Sequence, residues 1–198
     1  MRLTTPRIPP VESEDWTEEQ LQALGMDIKD LQANIGSPDK VFNVIKTLIR
    51  YPDLFKAWLG FANHVMFNSS LAPRDREIVI LRIGWLCQSG YEFGQHIIIG
   101  RNAGLNDGEI KAIAVGADAP NWSEAEQTLI KATDELHADA FIGNATFAEL
   151  AEHFEEKQIF DVIFAVGQYN MVSMALNSTG VQLDEGIPEY KAFVEGEN

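Results

Sequence analysis

Residues 89–96 read SGYEFGQH, which puts a carboxylate, Glu92, four places before an imidazole, His96. Side chains at i and i+4 share one face of a helix. A glutamate and a histidine so placed can share a hydrogen bond or a proton. Their flanks are apolar: IVILRIGWLC runs from 78 to 87, and III follows at 97 to 99. Two effects then oppose each other. Burial disfavours both charges, raising a carboxyl pKa and lowering an imidazole pKa, while mutual attraction does the reverse. In either case the pair titrates as a coupled unit near neutral pH, which suits general acid–base catalysis. The same pair is also a common structural feature of helices, and the residues alone leave both readings open. Glu77 is a third candidate, and it can reach His96 if the chain folds back between them. A metal site would need a further ligand such as His64 or His137. No spacing supplies one, so no metal is expected.

The elements that must position these groups are helical. Pro6, Pro9 and Pro10 keep the N-terminus extended. Thr17 and Gln20 have capping-box spacing and open a short helix that Gly25 ends. Ser37-Pro38 reads as an N-cap followed by proline at the first helical position. Val41, Val44, Ile45 and Leu48 recur at helical spacing until Tyr51-Pro52 breaks the run. Leu54, Trp58, Phe61 and Val65 carry the next helix. Residues 74–88 are apolar nearly all round, as in a buried helix. Ser89-Gly90 marks a restart, and the following helix stops at Gly104. Gly94 and Gly100 within it imply close approach of another element. Asn106, Ser123 with Glu126, and Asn144 are expected caps. A long apolar helix runs from about 157 to 177 and ends near Gly180. The tail from 184 is acidic and is expected to be partly mobile. The pattern predicts an all-α fold of about eight helices: an arm with a short helix over 1–36, a helical domain over 37–183, and the tail over 184–198.

The chain has 198 residues and a net charge of −15. Such a surface repels phosphate backbones and anionic lipid, so no nucleic-acid partner is expected. No apolar run reaches the length of a membrane span, and no secretory signal is expected. Cys87 is the one cysteine. An internal disulfide and a Cys-x-x-Cys redox site are both impossible, which fits a reducing cytoplasm. Cys87 itself reads as a small core residue. Arg82, inside the apolar helix, can anchor a substrate carboxylate or pair with an acid such as Glu77; the pairing is favoured. Tyr91, Ser89, Trp85 and Tyr169 are the other candidate contacts to a small-molecule substrate.

Residues 74–110, RDREIVILRIGWLCQSGYEFGQHIIIGRNAGLNDGEI, resemble the carboxymuconolactone decarboxylase family, which also contains the AhpD-like alkylhydroperoxidases. The shared skeleton is Arg-Glu, a buried helix, a polar motif ending in histidine, an Ala-Gly-Leu turn and an acidic helix start. A weaker likeness extends over 40–180. The family's peroxidase branch carries a glutamate, then Cys-x-x-Cys-x-x-x-His. Laid on this chain, that pattern places the glutamate on Glu77, the cysteines on Ser89 and Glu92, and the histidine on His96. Both redox thiols are missing, and a thiol peroxidase needs them. The resemblance therefore implies the decarboxylase-like branch: a cofactor-independent carboxy-lyase of aromatic catabolism, or a related lyase or isomerase, acting on a small organic acid or lactone. His96 would move the proton, Glu92 would set its charge, and Glu77 would support it. The family also implies an AhpD-like helical bundle assembled as a homotrimer or homohexamer. An alkylhydroperoxidase working through Cys87, and a non-catalytic binding protein on the same scaffold, are the alternatives.

Overall fold

The computed structural model describes residues 2–25, 41–120 and 122–195. Among them are ten α-helices and no strand. In chain order they are α1 Glu18–Leu24, α2 Asn43–Leu48, α3 Pro52–Asn63, α4 Pro73–Leu86, α5 Gly90–Asn102, α6 Asp107–Val115, α7 Glu124–Asp139, α8 Asn144–His153, α9 Glu156–Thr179 and α10 Tyr190–Glu195. A π-helical turn, His64–Asn68, extends α3. The all-α expectation holds, and the helix beyond the expected set is α10, inside the acidic tail. The Ser37-Pro38 cap lies outside the described residues.

Helix α4 is the centre. Its Val79, Ile80 and Ile83 pack with Leu129 of α7, Leu150 of α8, and Val162 and Val166 of α9. Its Ile78 and Leu81 pack with Phe93 and Ile97 of α5, and Ile110 and Ile113 of α6. A helix clasped on both sides needs apolar residues all round. Burying each of these large aliphatic side chains contributes about 1.5–3 kcal/mol.

The helix ends follow local chemistry. Thr17 with Gln20, Asn106 with Glu109, and Ser123 with Glu126 form complete capping boxes. Asn144 does not cap α8 as its residue type suggests; it is the first helical residue, and Gly143 is the cap. The reason is Glu135 on α7, whose carboxylate accepts from the Gly143 N–H at 2.7 Å and from Thr146 Oγ1 at 2.6 Å. A carboxylate from another helix thus holds this helix start where a local asparagine side chain was expected.

The two terminal segments strap the bundle. The N–H groups of Arg7 and Ile8 donate to Thr179 O, at 2.7 and 3.1 Å. The tail is not a loose acidic end over its described part, 184–195. Asp184 accepts from Tyr91 Oη at 2.6 Å and from the Asn43 N–H at 2.8 Å. A Cβ at Gly94 would lie 2.8 Å from Pro188 O and 2.9 Å from Ile187 Cγ2, so only glycine lets the tail cross α5 there. Gly94 thus marks the close approach expected of it. The long apolar helix α9 is, among the described residues, the one whose length and composition would suffice to cross a membrane. Half of its most apolar stretch is buried in the body.

Candidate functional site

The chain between α4 and α5 reverses in three residues. Gln88 takes a left-handed conformation (φ 49°), and the Ser89 N–H donates to Gly84 O at 2.9 Å. This reversal lays α5 against α4 and brings Glu77 to His96, as the fold-back required. Glu77 Oε2 lies 2.6 Å from His96 Nδ1, and Glu92 Oε1 lies 3.0 Å from His96 Nε2. Arg76 donates from Nε to the other oxygen of Glu77 at 3.1 Å, and its Nη2 lies 3.1 Å from the same oxygen as an ion pair. The Tyr169 ring of α9 stands edge-on to the imidazole, with centroids 5.1 Å apart.

The group is deeply buried: Glu77 is 0% exposed, His96 4% and Glu92 6%. Burial by itself would lower the His96 pKa. The Glu77 charge and hydrogen bond, followed by those of Glu92, overcome it and push the pKa up to about 10. His96 is then an imidazolium at neutral pH and donates from both nitrogens. Arg76, Glu77, His96 and Glu92 form a row in which basic and acidic side chains alternate. Burial and the two carboxylates also push the Tyr169 hydroxyl well up, so it stays protonated.

Ser89 and Glu92 have the Ser-x-x-Glu spacing of a capping box at the start of α5, yet no cap forms. Ser89 is the N-cap residue, but its side chain makes no capping bond. Its Oγ is buried without a partner among the described residues. Glu92 turns to His96 instead. Natural sequences tend to break local rules of this kind at functional sites.

The other sequence candidates are engaged elsewhere. Arg82 does not pair with Glu77. It grips Asp134 of α7 at 2.5 and 3.0 Å and donates to Ile113 O at 2.6 Å, closing the C-terminus of α6. Five residues turn a helix by about 140° beyond a full circle, so Arg82 and Glu77 lie on different faces. Arg76, the neighbour of Glu77, takes the role assigned to Arg82. The Arg-Glu pair in the quoted skeleton was the signal for it. Gly116, at φ 100°, makes room for the Arg82 guanidinium; a Cβ there would lie 2.9 Å from Nη2. Tyr91 belongs to the Asp184 latch. Trp85 meets the rings of Phe93 and Tyr190 edge to face. Of the expected substrate contacts, Tyr169 is the one seated against His96.

Cys87 is half-buried, and its Sγ donates to Asn170 Oδ1 at 3.0 Å. Burial pushes its thiol pKa up, away from the thiolate that peroxide reduction needs. His137 Nδ1 lies 3.9 Å from that sulfur, and His64 lies 3.8 Å from Asp161. Among the described residues, no group of three or more His, Cys, Asp or Glu side chains is arranged to hold a metal ion.

Comparison with known proteins agrees with the fold. Residues 52–135 match the carboxymuconolactone decarboxylase family. No curated protein matches the chain. Among solved structures, an uncharacterized peroxidase-related protein with an alkylhydroperoxidase AhpD core, from Ralstonia eutropha JMP134, superposes with a TM-score of 0.76 at 19% identity, covering 98% of each chain. An uncharacterized peroxidase-related protein from Silicibacter sp. TM1040 superposes with a TM-score of 0.75 at 16% identity, covering 93% of this chain and 97% of the other. The debrominase Bmp8, solved with 2,3,4-tribromopyrrole, gives 0.72 at 15% identity over 97% of each chain. Residues 52–135 are thus similar to the carboxymuconolactone decarboxylase family, the helical fold is AhpD-like, and the cysteine pair of the peroxidase branch is missing.

Proposed function

We propose that this protein is a cofactor-independent acid–base enzyme of the decarboxylase-like kind, acting on a small organic acid or lactone. The observation that carries the reading is the buried His96 ring held between two carboxylates, Glu77 2.6 Å from Nδ1 and Glu92 3.0 Å from Nε2. Glu77 fixes the ring through Nδ1, and the Nε2 proton, shared with Glu92, is the one that moves. In a decarboxylation the bond to the carboxyl carbon breaks and CO₂ leaves. The electron pair stays on the substrate carbon as an enolate, which requires a carbonyl beside that carbon. His96 gives its Nε2 proton to the carbon, becomes neutral, and recovers a proton from solvent. The single cysteine supports placing the protein in a reducing compartment such as the cytoplasm.

The test offers wild type and His96→Asn a panel of small lactones and 3-oxo acids in deuterated water. It reads CO₂ release and deuterium at the substrate carbon. Wild type is expected to turn over at least one compound. His96→Asn, which keeps a donor toward Glu77, should lose about 10²–10⁴-fold in rate while melting as a folded protein. Unchanged turnover in His96→Asn sinks the reading, as does a wild type inert to the whole panel. If His96→Asn unfolds, Glu92→Gln gives the same discrimination, because its amide oxygen still accepts from Nε2.

We also infer that the chain assembles with itself. One face of α9 supports this: Phe160, Phe164, Met171 and Met174 are each about half exposed along a single helical stripe. A run of large apolar side chains on one face is more typical of an interface than of free surface.

A further inference from the structure

The two carboxylates on His96 are not equivalent. Glu77 Oε2 meets Nδ1 in a hydrogen bond of 2.6 Å, and its Oε1 meets Arg76, whose Nε and Nη2 both lie 3.1 Å away. Glu92 Oε1 lies 3.0 Å from Nε2, and among the described residues no Lys or Arg pairs with Glu92. We propose that Arg76 is a positioning residue of the site: its charge beside Glu77 keeps the Nδ1 proton on the ring as an anchor and leaves the Nε2 proton as the one that transfers. This role rests on the acid–base reading above, and it explains why one ring proton moves and the other does not.

A buried carboxylate beside an imidazolium can take the proton, which leaves two neutral groups and less charge to desolvate. Glu77 is 0% exposed, so burial favours that transfer. Arg76 opposes it. Its side chain is 12% exposed, and a neutral Glu77 would leave the guanidinium without its partner. The remaining charges, Arg76 and Glu92, would then stand on either side of the ring. Loss of the Nε2 proton has the opposite result: Arg76 and Glu77 stay paired. The other titratable group facing the ring is Tyr169 of α9, whose hydroxyl donates to Met66 Sδ at 2.7 Å and carries no charge.

The competing role for Arg76 is to hold a substrate carboxylate. That would need the planar fork free, and its Nε–Nη2 edge is turned to Glu77. Both nitrogens converge on a single oxygen. The contact is therefore that of a point charge, which the ammonium group of a lysine can reproduce.

The test reads the ring directly and needs no substrate. The full chain, labelled with ¹⁵N in its four histidines, is compared with Arg76→Met, Arg76→Gln and Arg76→Lys at neutral pH, the His96 signals being those absent from His96→Asn. Wild type and Arg76→Lys are expected to show Nδ1 protonated. In Arg76→Met and Arg76→Gln its resonance should move toward that of a bare ring nitrogen as the proton passes to Glu77. On a substrate from the lactone and oxo-acid panel, both neutral variants should lose about tenfold or more in kcat, with KM changed by less than about twofold, and Arg76→Lys should restore most of the rate. An Nδ1 resonance unchanged in the neutral variants overturns the proposal, as does an Arg76→Lys that behaves like them. A KM that rises while kcat holds makes Arg76 a substrate contact and also overturns it. Should Arg76→Met not fold, Arg76→Gln, which keeps a donor toward Glu77, carries the comparison. A wild type inert to the whole panel ends the acid–base reading, and the Nδ1 resonance then still decides whether Arg76 holds the proton on the ring.

Discussion

Removing one carboxylate at a time from His96 separates what each contributes. Glu77 supplies the largest upward push on the imidazole pKa and Glu92 the smaller one, against the downward push of burial. Glu77→Gln is therefore expected to lower the His96 titration more than Glu92→Gln, as read by NMR of the ring. The same shift makes stability depend on pH. The folded-state pKa, about 10, lies above the ordinary value of 6.5. The contribution of His96 is thus full below pH 6.5 and is lost as pH rises toward 10, by an amount on the order of a few kcal/mol. Urea unfolding of wild type at neutral and alkaline pH should show the loss, and His96→Asn should lack it. A second residue-scale prediction concerns Ser89. An N-cap serine normally costs about 1 kcal/mol when replaced by alanine. Ser89 caps nothing and its hydroxyl is unpartnered. Ser89→Ala should therefore leave the melting temperature unchanged or raise it; a clear drop would mean the hydroxyl has a partner in solution. The Glu92–His96 pair was legible from i, i+4 spacing alone. Glu77 came into view as a candidate that needed the chain to fold back, and the family resemblance pointed to the same residue. Which way Glu92 turns was not legible, because the same residue closes a Ser-x-x-Glu capping pattern and opens a Glu-x-x-x-His pair.

At the scale of elements, the C-terminal strap fixes the helix that carries the site. Gly94 is its seat, and Asp184 is its latch on Tyr91, Gln95 and Asn43. Gly94→Ala gains helix propensity but drives a methyl into Pro188 and Ile187. The overpacking should win, with a net loss of about 1–3 kcal/mol. If denaturant melts show stabilisation instead, the strap does not sit on α5 in solution. Most helix boundaries were readable because caps and glycine stops act over three or four residues. Thr17, Asn106, Ser123 and Gly180 all do as their types suggest. The failures share one cause. Gly143 displaces Asn144 as a cap through Glu135, Arg82 finds Asp134 fifty-two residues away, and the acidic tail is held by partners about ninety residues upstream. Local pattern carries no information on such pairings.

For the whole molecule, charge and apolar surface oppose each other. A chain of net charge −15 repels its own copies, and the repulsion weakens as salt rises. Against it stands the α9 stripe, whose composition is nearly symmetric about Gly167. Phe160 and Phe164 precede that glycine by seven and three residues, and Met171 and Met174 follow it by four and seven. A Cβ at Gly167 would meet nothing within 4 Å, so the centre of the stripe is open. Two copies of α9 crossing antiparallel at Gly167 would set phenylalanines on methionines, with the backbones close at the glycine. A contact of that kind is two-fold and isologous. It therefore builds even-numbered assemblies. Of the trimer and hexamer that the family resemblance implies, a hexamer accommodates it and an isolated trimer does not. Light scattering behind a sizing column should return an even multiple of the 22.1 kDa chain mass. The assembly should tighten at about 0.5 M salt, where screening shortens the reach of the repulsion to a few ångströms. Phe164→Asp places a charge against an apolar partner and should leave half-size species or single chains, with the melting temperature little changed because this side chain is about half exposed in the single chain. A wild type that runs as a monomer at high salt, or a Phe164→Asp variant of unchanged mass, would remove α9 as the interface.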